Sequence, residues 1–415
     1  MNLGKYSFGI GDRFNHQGKA LLKALQMVRE AGIEIIPVWN KSNREHQIVK
    51  STPEQTRVEA DEAVAALQWD LPYFVDADHI SLLNVDKFIN HCDFFTIDVA
   101  DYIGKPPVEE DIEDLIGNSQ KYIGKLNIPG IDSEFYITEE LLTDIGTKFL
   151  NATQEAGKIY RYIKKCRAGK DFIPEISMDE VNDPQTPVEL FCILGLLAGE
   201  KIPVQTIAPR FTGRFNKGVD YKGDPDRFRL EFEQDLLVID HAIRIFGLPE
   251  NLKLSIHSGS DKFSIYPVVG ELIRKYDKGI HIKTAGTTWL EEVTGLAKAG
   301  DEGLNMAKTI YRNAYARKEE LCKPYTTVIE IDESSLPLPD HVDKWDGNKY
   351  SNTLRHIPDH PEYNPNFRQL LHVGYKVAAE LGEQYINSLE KFSDVIEKNV
   401  TENIFERHIK RLCKI

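Results

Sequence analysis

Apolar positions along the chain recur in two alternating patterns. Short runs rich in β-branched and aromatic residues fall at 6–10, 34–38, 73–75, 94–97, 172–173, 204–208, 253–256 and 280–282. Runs of that kind predict buried strands. Between them, 18–31, 53–69, 187–198, 224–246 and 265–276 carry apolar residues three and four apart, the spacing of an amphipathic helix. Thr52-Pro53 and Asp224-Pro225 have N-cap and first-turn chemistry, which starts a helix. Strand and helix in alternation predict a parallel sheet. Eight strand candidates are the number that a closed (β/α)8 barrel of the TIM type requires. The competing architecture is an open doubly wound sheet, which usually carries a Gly-rich turn after its first strand. Here that turn reads Gly9-Ile10-Gly11-Asp12-Arg13-Phe14, with Phe14 where a third glycine belongs, so the barrel is favoured.

The barrel is expected over 1–300, with an insertion at about 102–170 following the fourth strand. The remainder, 301–415, reads as a helical extension packed on the barrel, with helices near 304–321 and 367–392 around a Pro- and His-rich stretch.

Composition narrows the function classes. Lys and Arg total 51 against 65 Asp and Glu, a net charge of −14. No basic cluster offers a counter-surface to phosphates, which argues against nucleic acid or an anionic membrane as partner. Five widely spaced cysteines with no C-x-x-C pair argue against a disulfide framework or a zinc ribbon. No stretch approaches the ~18 uninterrupted apolar residues of a membrane span. The opening MNLGKYSFGIGDRF lacks an apolar signal region, so a cytoplasmic location is expected by default. A homo-oligomer is compatible with these numbers.

In a barrel of this type the site is built from the C-terminal ends of the strands. Those ends are crowded with ionisable groups here: Asp12, Arg13, Asp76, Asp78, His79, Asp98, Glu175, Arg210, His257, Asp261, Lys262, His281 and Lys283. Unpaired charge is expensive to bury, so such convergence points to a site. His257 ends the seventh strand and His281 lies in the eighth. Two imidazoles and a carboxylate bind a divalent transition metal and leave positions open. Glu175 is the expected carboxylate, with Asp76, Asp78 or His79 as substitutes; for either histidine alone, a hydrogen-bonded core position is the plainer explanation. Asp76 and Asp78 are two apart and share a face. Their mutual repulsion raises one pKa toward a useful range, so one of them, Asp78 by preference, is a candidate acid/base. The glycine-containing loop 210–223 reads as a mobile lid or substrate loop, and its Asp220 is a second candidate acid/base. The stretch 255–267 is dense in small donors and contributes Ser258, Asp261 and Lys262. With Arg13, Asp76, Arg210 and Lys283 these are the expected substrate contacts.

Three runs carry a more particular likeness. Tyr6-Ser-Phe-Gly-Ile-Gly-Asp-Arg-Phe14, the 255–267 stretch and His281-Ile-Lys-Thr-Ala-Gly-Thr-Thr-Trp-Leu-Glu291 resemble the tagaturonate/fructuronate epimerases of bacterial hexuronate catabolism. The resemblance implies a divalent metal, a ketouronate substrate and interconversion of tagaturonate with fructuronate, with tagatose and fructose as a neutral pair to consider. On that reading the inverted carbon bears a hydroxyl β to the ketone, and its hydrogen is not acidic. Retro-aldol cleavage, rotation of the aldehyde and re-addition invert it without deprotonating it. Glu175, His257 and His281 are then expected to hold the metal (Zn, Mn, Ni or Co), Asp78 and Asp220 to handle protons, and Arg13, Arg210 or Lys262 to pair with the uronate carboxylate. No nicotinamide is expected. The rival readings are a metal-dependent aldolase or ketose isomerase, and, from another class, a non-catalytic sugar-binding barrel.

Overall fold

Eight strands form the central sheet: β1 (Tyr6–Ile10), β2 (Ile36–Ser42), β3 (Phe74–Ile80), β4 (Phe94–Asp98), β5 (Ile173–Ser177), β6 (Thr206–Ala208), β7 (Lys253–His257) and β8 (Ile280–Thr284). Each pairs in parallel with its neighbours, and β1 pairs with β8, so the sheet closes into the expected barrel. The computed structural model describes residues 1–179, 181–284, 286–357 and 359–414.

Helices Gly18–Glu30, Pro53–Ala66, Asn151–Cys166, Pro187–Gly199, Pro225–Phe246, Tyr266–Lys275 and Thr287–Ala299 follow or separate the strands. The local chemistry explains their starts. Thr52 and Gln55 form a capping box around Pro53, Thr186 and Glu189 form another around Pro187, and the Asp224 carboxylate accepts from the amides of Asp226 and Arg227. Each such cap is worth about 1 kcal/mol. Between β3 and β4 the described chain has only a 3-10 turn, Val85–Lys87, in place of a helix.

The expected strand ends lie too early. β2, β3, β5 and β8 continue through Asn40, Asp78, Glu175 and Lys283. Side chains two apart share a face of a strand, which sorts the interior into layers. Leu3, Ile36, Val38, Phe74, Phe94 and Ile173 pack together as an apolar floor. One layer nearer the C-terminal ends, Asp76, Thr96, Glu175 and Lys283 face inward, all at most 2% exposed. Polar residues inside these strands imitate a strand end in the sequence.

The connection after β4 carries helix Glu109–Ser119, an antiparallel pair Gly124–Leu126 with Phe135–Ile137, and helix Glu139–Ile145, which runs through a π turn into Asn151–Cys166. Beyond Ala299 the described regular elements are all helical. The expected single helix at 367–392 is three, Pro365–Val373, Tyr375–Leu381 and Glu383–Lys391, broken at Gly374 and at Gly382, whose φ is +56°. These helices are tied to the barrel by polar bonds: Trp289 Nε1 to Leu371 O at 2.7 Å, Thr401 Oγ1 to Ala20 O at 2.9 Å and Arg274 Nη1 to Leu412 O at 3.1 Å. All five cysteines are free. Among the described residues no helix is long and apolar enough to cross a membrane.

Candidate active site and metal centre

Lys283 is the hub of the barrel mouth. Its Nζ lies 2.7 Å from Asp76, 2.9 Å from Asp78 and 2.8 Å from Glu175, and it also donates to Thr96 Oγ1. Burial disfavours the charge of this ammonium, but the three carboxylates outweigh burial and hold its pKa well above the usual value. Lys283 is therefore a fixed cation, not a nucleophile. Burial also works against ionised Asp78 and Glu175, yet Lys283 and the neighbouring imidazoles hold both below the usual carboxylate range. Asp76 is different. Burial pushes it up to about 7, against the pull of Lys283 and with the repulsion of Asp78 and Glu175 added. Three carboxylates around one ammonium thus keep one proton poised near neutrality.

Two imidazoles border this hub at the mouth. His257 ends β7 and places Nε2 2.9 Å from Glu175 Oε1 and Nδ1 3.1 Å from Asp179 Oδ1. His79 sits where the register between β3 and β4 shifts, with a left-handed φ of +54°. That bulge turns consecutive residues toward the mouth. His79 Nδ1 is bonded to Asp78 at 3.0 Å, and its Nε2 is buried without a hydrogen-bond partner among the described residues, 3.8 Å from Asp179 Oδ1. Each ring therefore has one nitrogen anchored by a carboxylate and the other turned toward Asp179. Burial works against protonation of both rings, but Asp179 and Glu175 lift His257 to about 9, and Asp78 and Asp179 raise His79.

Among the described residues, His79, Asp179 and His257 are the three groups whose ligand atoms lie within 4.8 Å of one another. Two imidazoles and a carboxylate could hold a divalent transition metal. The orphaned Nε2 of His79 fits such an ion, and Asp78 and Glu175 would fix the rings as metal-binding histidines are usually fixed.

The expected trio of Glu175, His257 and His281 is not brought together in this way. His281 lies level with Ser255, one inward-facing layer below Lys283 and His257. Its Nδ1 bonds Ser7 Oγ at 2.9 Å, its ring packs on Phe94, and burial pushes its pKa down to about 3. Glu175 touches His257 but as a support. Asp179 is the residue that sequence reasoning missed. It lies two residues past Ser177 and four past Glu175, so the alternation of inward positions carried through the strand end was the available signal.

Other expected site residues are spent elsewhere. Asp220 accepts from the Ser264 amide and hydroxyl and from the Tyr221 amide, which ties two loops together outside the hub. Lys262 is fully buried and donates to Asn216 O at 3.0 Å, Val219 O at 2.8 Å and Asp261 O at 3.3 Å. Burial pushes it down to about 7, but those carbonyls make it a loop staple. Together with the bond from Gly218 N to Ser260 Oγ at 2.8 Å it pins the loop expected to be a lid. Arg210 bonds Gly213 O at 3.3 Å, and Ser258 bonds Lys283 O at 2.6 Å. Asp261 is wholly buried and pairs with Arg368 at 2.5 Å and His408 at 3.2 Å. Arg13 reaches the mouth at its β8–β1 side, with Nε on Glu45 at 3.0 Å and Nη1 on His372 O at 3.0 Å. Asn40, level with Asp76, is buried with neither amide atom partnered among the described residues. A Cβ on Gly9 would lie 3.0 Å from Lys283 Cγ and 3.3 Å from Asn40 Oδ1. Glycine there leaves these two side chains their room.

Comparison with known proteins agrees with the architecture. The curated tagaturonate/fructuronate epimerase of Thermotoga maritima is 28% identical over 419 residues, covering 97% of this chain and 80% of that protein. The crystal structure of the fructuronate-tagaturonate epimerase UxaE from Cohnella laeviribosi with one glycerol superposes with a TM-score of 0.82 at 24% identity, covering 99% of this chain and 82% of that one. Its native form superposes with a TM-score of 0.80 at 22% identity and the same coverage. The family model described as UxaE, tagaturonate epimerase, matches residues 1–414. The chain belongs to the tagaturonate epimerase family.

Proposed function

We propose that this protein is a divalent-metal-dependent epimerase that interconverts D-tagaturonate and D-fructuronate by retro-aldol cleavage and re-addition. The observation that carries the reading is the facing pair of histidines, each held at one nitrogen by Asp78 or Glu175 and facing Asp179 with the other. The names of the relatives from Thermotoga maritima and Cohnella laeviribosi supply the substrate pair.

His79, Asp179 and His257 would hold the ion. When bound, it supplies Lewis-acid stabilisation of the negative charge that develops as the carbon–carbon bond breaks. The protein's own residues do the rest. Lys283 stays cationic and keeps Asp78 and Glu175 ionised beside the substrate. Glu175 has an Oε2 without a hydrogen-bond partner among the described residues, which suits it to accept a hydrogen bond from a substrate hydroxyl. Asp76, poised near neutrality, can take up or return a proton through Thr96, which lies 2.9 Å from Asp76 and 3.1 Å from Glu175. Asn40 offers an unpaired donor and acceptor to the hydroxyls. Its place in the barrel wall suits it to orient them. The apolar floor and the burial of the hub exclude water, which strengthens each of these interactions.

The test is metal analysis of the purified protein, followed by chelation and re-addition with ketouronate interconversion as readout. Activity should fall with metal content and return with it. In D2O the inverted carbon should gain no deuterium. Full turnover by metal-free protein, or deuterium at that carbon, would overturn the reading.

A further inference from the structure

The His372 imidazole has no role in the hub, yet it is 1% exposed and both of its ring nitrogens lack a hydrogen-bond partner among the described residues. A buried donor or acceptor left unpaired costs about 1–3 kcal/mol. The ring is not loosely held. Its helix, Pro365–Val373, is locked by Arg368, which donates to Gly218 O at 2.7 Å and Leu354 O at 2.9 Å and pairs with Asp261. Trp289 clasps the neighbouring Leu371 carbonyl.

His372 points across Gly286. A Cβ on that glycine would lie 2.3 Å from His372 Nε2 and 2.9 Å from Arg13 Nη2. Gly286 has a left-handed φ of +84° and stands at the N-cap of the 13-residue helix Thr287–Ala299, which has no side-chain cap. Three features therefore converge on one small cradle: an uncapped helix start, whose amides favour an anion; the third nitrogen of a guanidinium otherwise committed to Glu45 and His372 O; and an imidazole with both nitrogens free.

We propose that the C-terminal helical extension completes the substrate pocket here, with His372, Arg13 and the start of helix Thr287–Ala299 seating the carboxylate of a sugar acid. This assignment rests on the ketouronate reading above and orients that substrate, with its carboxylate at the β8–β1 side and its reacting carbons over the hub. Arg13 supplies the cation. His372 supplies direction: burial and the charges of Arg13, Lys217, Arg368 and Lys262 keep its ring neutral. A neutral imidazole has one donor and one acceptor, which match a carboxylate oxygen and an adjacent hydroxyl of a hydroxy acid.

The test uses the full-length, metal-loaded protein and two variants, His372→Leu and His372→Gln. Calorimetry measures binding of D-gluconate, a polyhydroxy carboxylate, and D-sorbitol, its neutral counterpart. Wild type should prefer gluconate, His372→Leu should lose about tenfold or more of that affinity, and His372→Gln, which keeps a donor and an acceptor, should recover part of it. Sorbitol binding and metal content should not move. With D-fructuronate, KM should rise in His372→Leu by more than kcat falls. Equal gluconate affinity in wild type and both variants, or no preference for gluconate over sorbitol in wild type, overturns the seat. An unchanged KM for fructuronate overturns it while leaving the epimerase reading intact. Gluconate binding that depends on His372 in a protein that does not turn over fructuronate keeps the seat and removes the ketouronate reading.

Discussion

At the residue scale the proposed metal would compete with protons for the same two imidazoles. His79 and His257 are raised by the carboxylates that face them, His257 to about 9 against an ordinary 6.5. Without metal, the stabilisation from charged His257 is complete below pH 6.5 and is lost as pH rises through about 9, the sign that linkage requires for a raised folded-state pKa. Chelated protein should therefore show a Tm that falls across that window in scanning calorimetry, whereas metal-loaded protein should not follow it. Metal binding must displace the same protons. Affinity should climb with pH up to about 9, and proton release should be visible by calorimetry in buffers of different ionisation enthalpy. Substitution separates ligand from bystander. His79→Ala and Asp179→Ala should abolish stoichiometric metal binding. Asp78→Asn and Glu175→Gln should weaken it about 10–100-fold. His281→Asn should leave it intact, because that ring lies a layer below, on Ser7.

At the element scale, strands that contribute both floor and hub must approach each other closely. Gly9 on β1 faces the Lys283 backbone of β8, where a Cβ would sit 3.1 Å from Lys283 Cα. Gly9→Ala should push Lys283 off its three carboxylates, lowering kcat markedly for a modest loss of Tm. Kinetics and calorimetry on the one variant check both. The same strands explain what could be read in advance. The barrel was legible because eight apolar runs alternate with helical spacing and capping residues, and those signals are local. Strand ends were not, because Asp76, Asp78, Glu175 and Lys283 are satisfied by one another, a pairing between segments up to 207 positions apart that no local pattern records. That His257 and the carboxylates stand near strand ends was legible, because polar residues interrupt the apolar runs there. His281 was misplaced by one layer, since depth inside a barrel depends on register between strands. His79 depends on a bulge, whose geometry the alternation of polar and apolar residues does not encode, and Asp179 lies past the end of β5, where only the alternation carried beyond the strand pointed to it.

At the scale of the whole molecule, the extension and the barrel share buried polar pairs. Arg368 neutralises a fully buried Asp261, and removing one partner of a buried pair typically costs about 3–5 kcal/mol. Arg368→Ala should therefore lower Tm sharply in a single cooperative transition, and a chain truncated before residue 365 should fail to give folded protein. A melt of such a truncation resembling that of the full chain would show the two parts to be independent. The solid apolar base beneath the hub has one more consequence. A cleaved sugar yields two short pieces, and an enzyme that lets either drift away is a lyase. Under the proposed mechanism, a cup with no drain would keep both pieces in each other's company until the bond closes again, so the hydrophobic plug at the far end of the cylinder would help decide which product emerges.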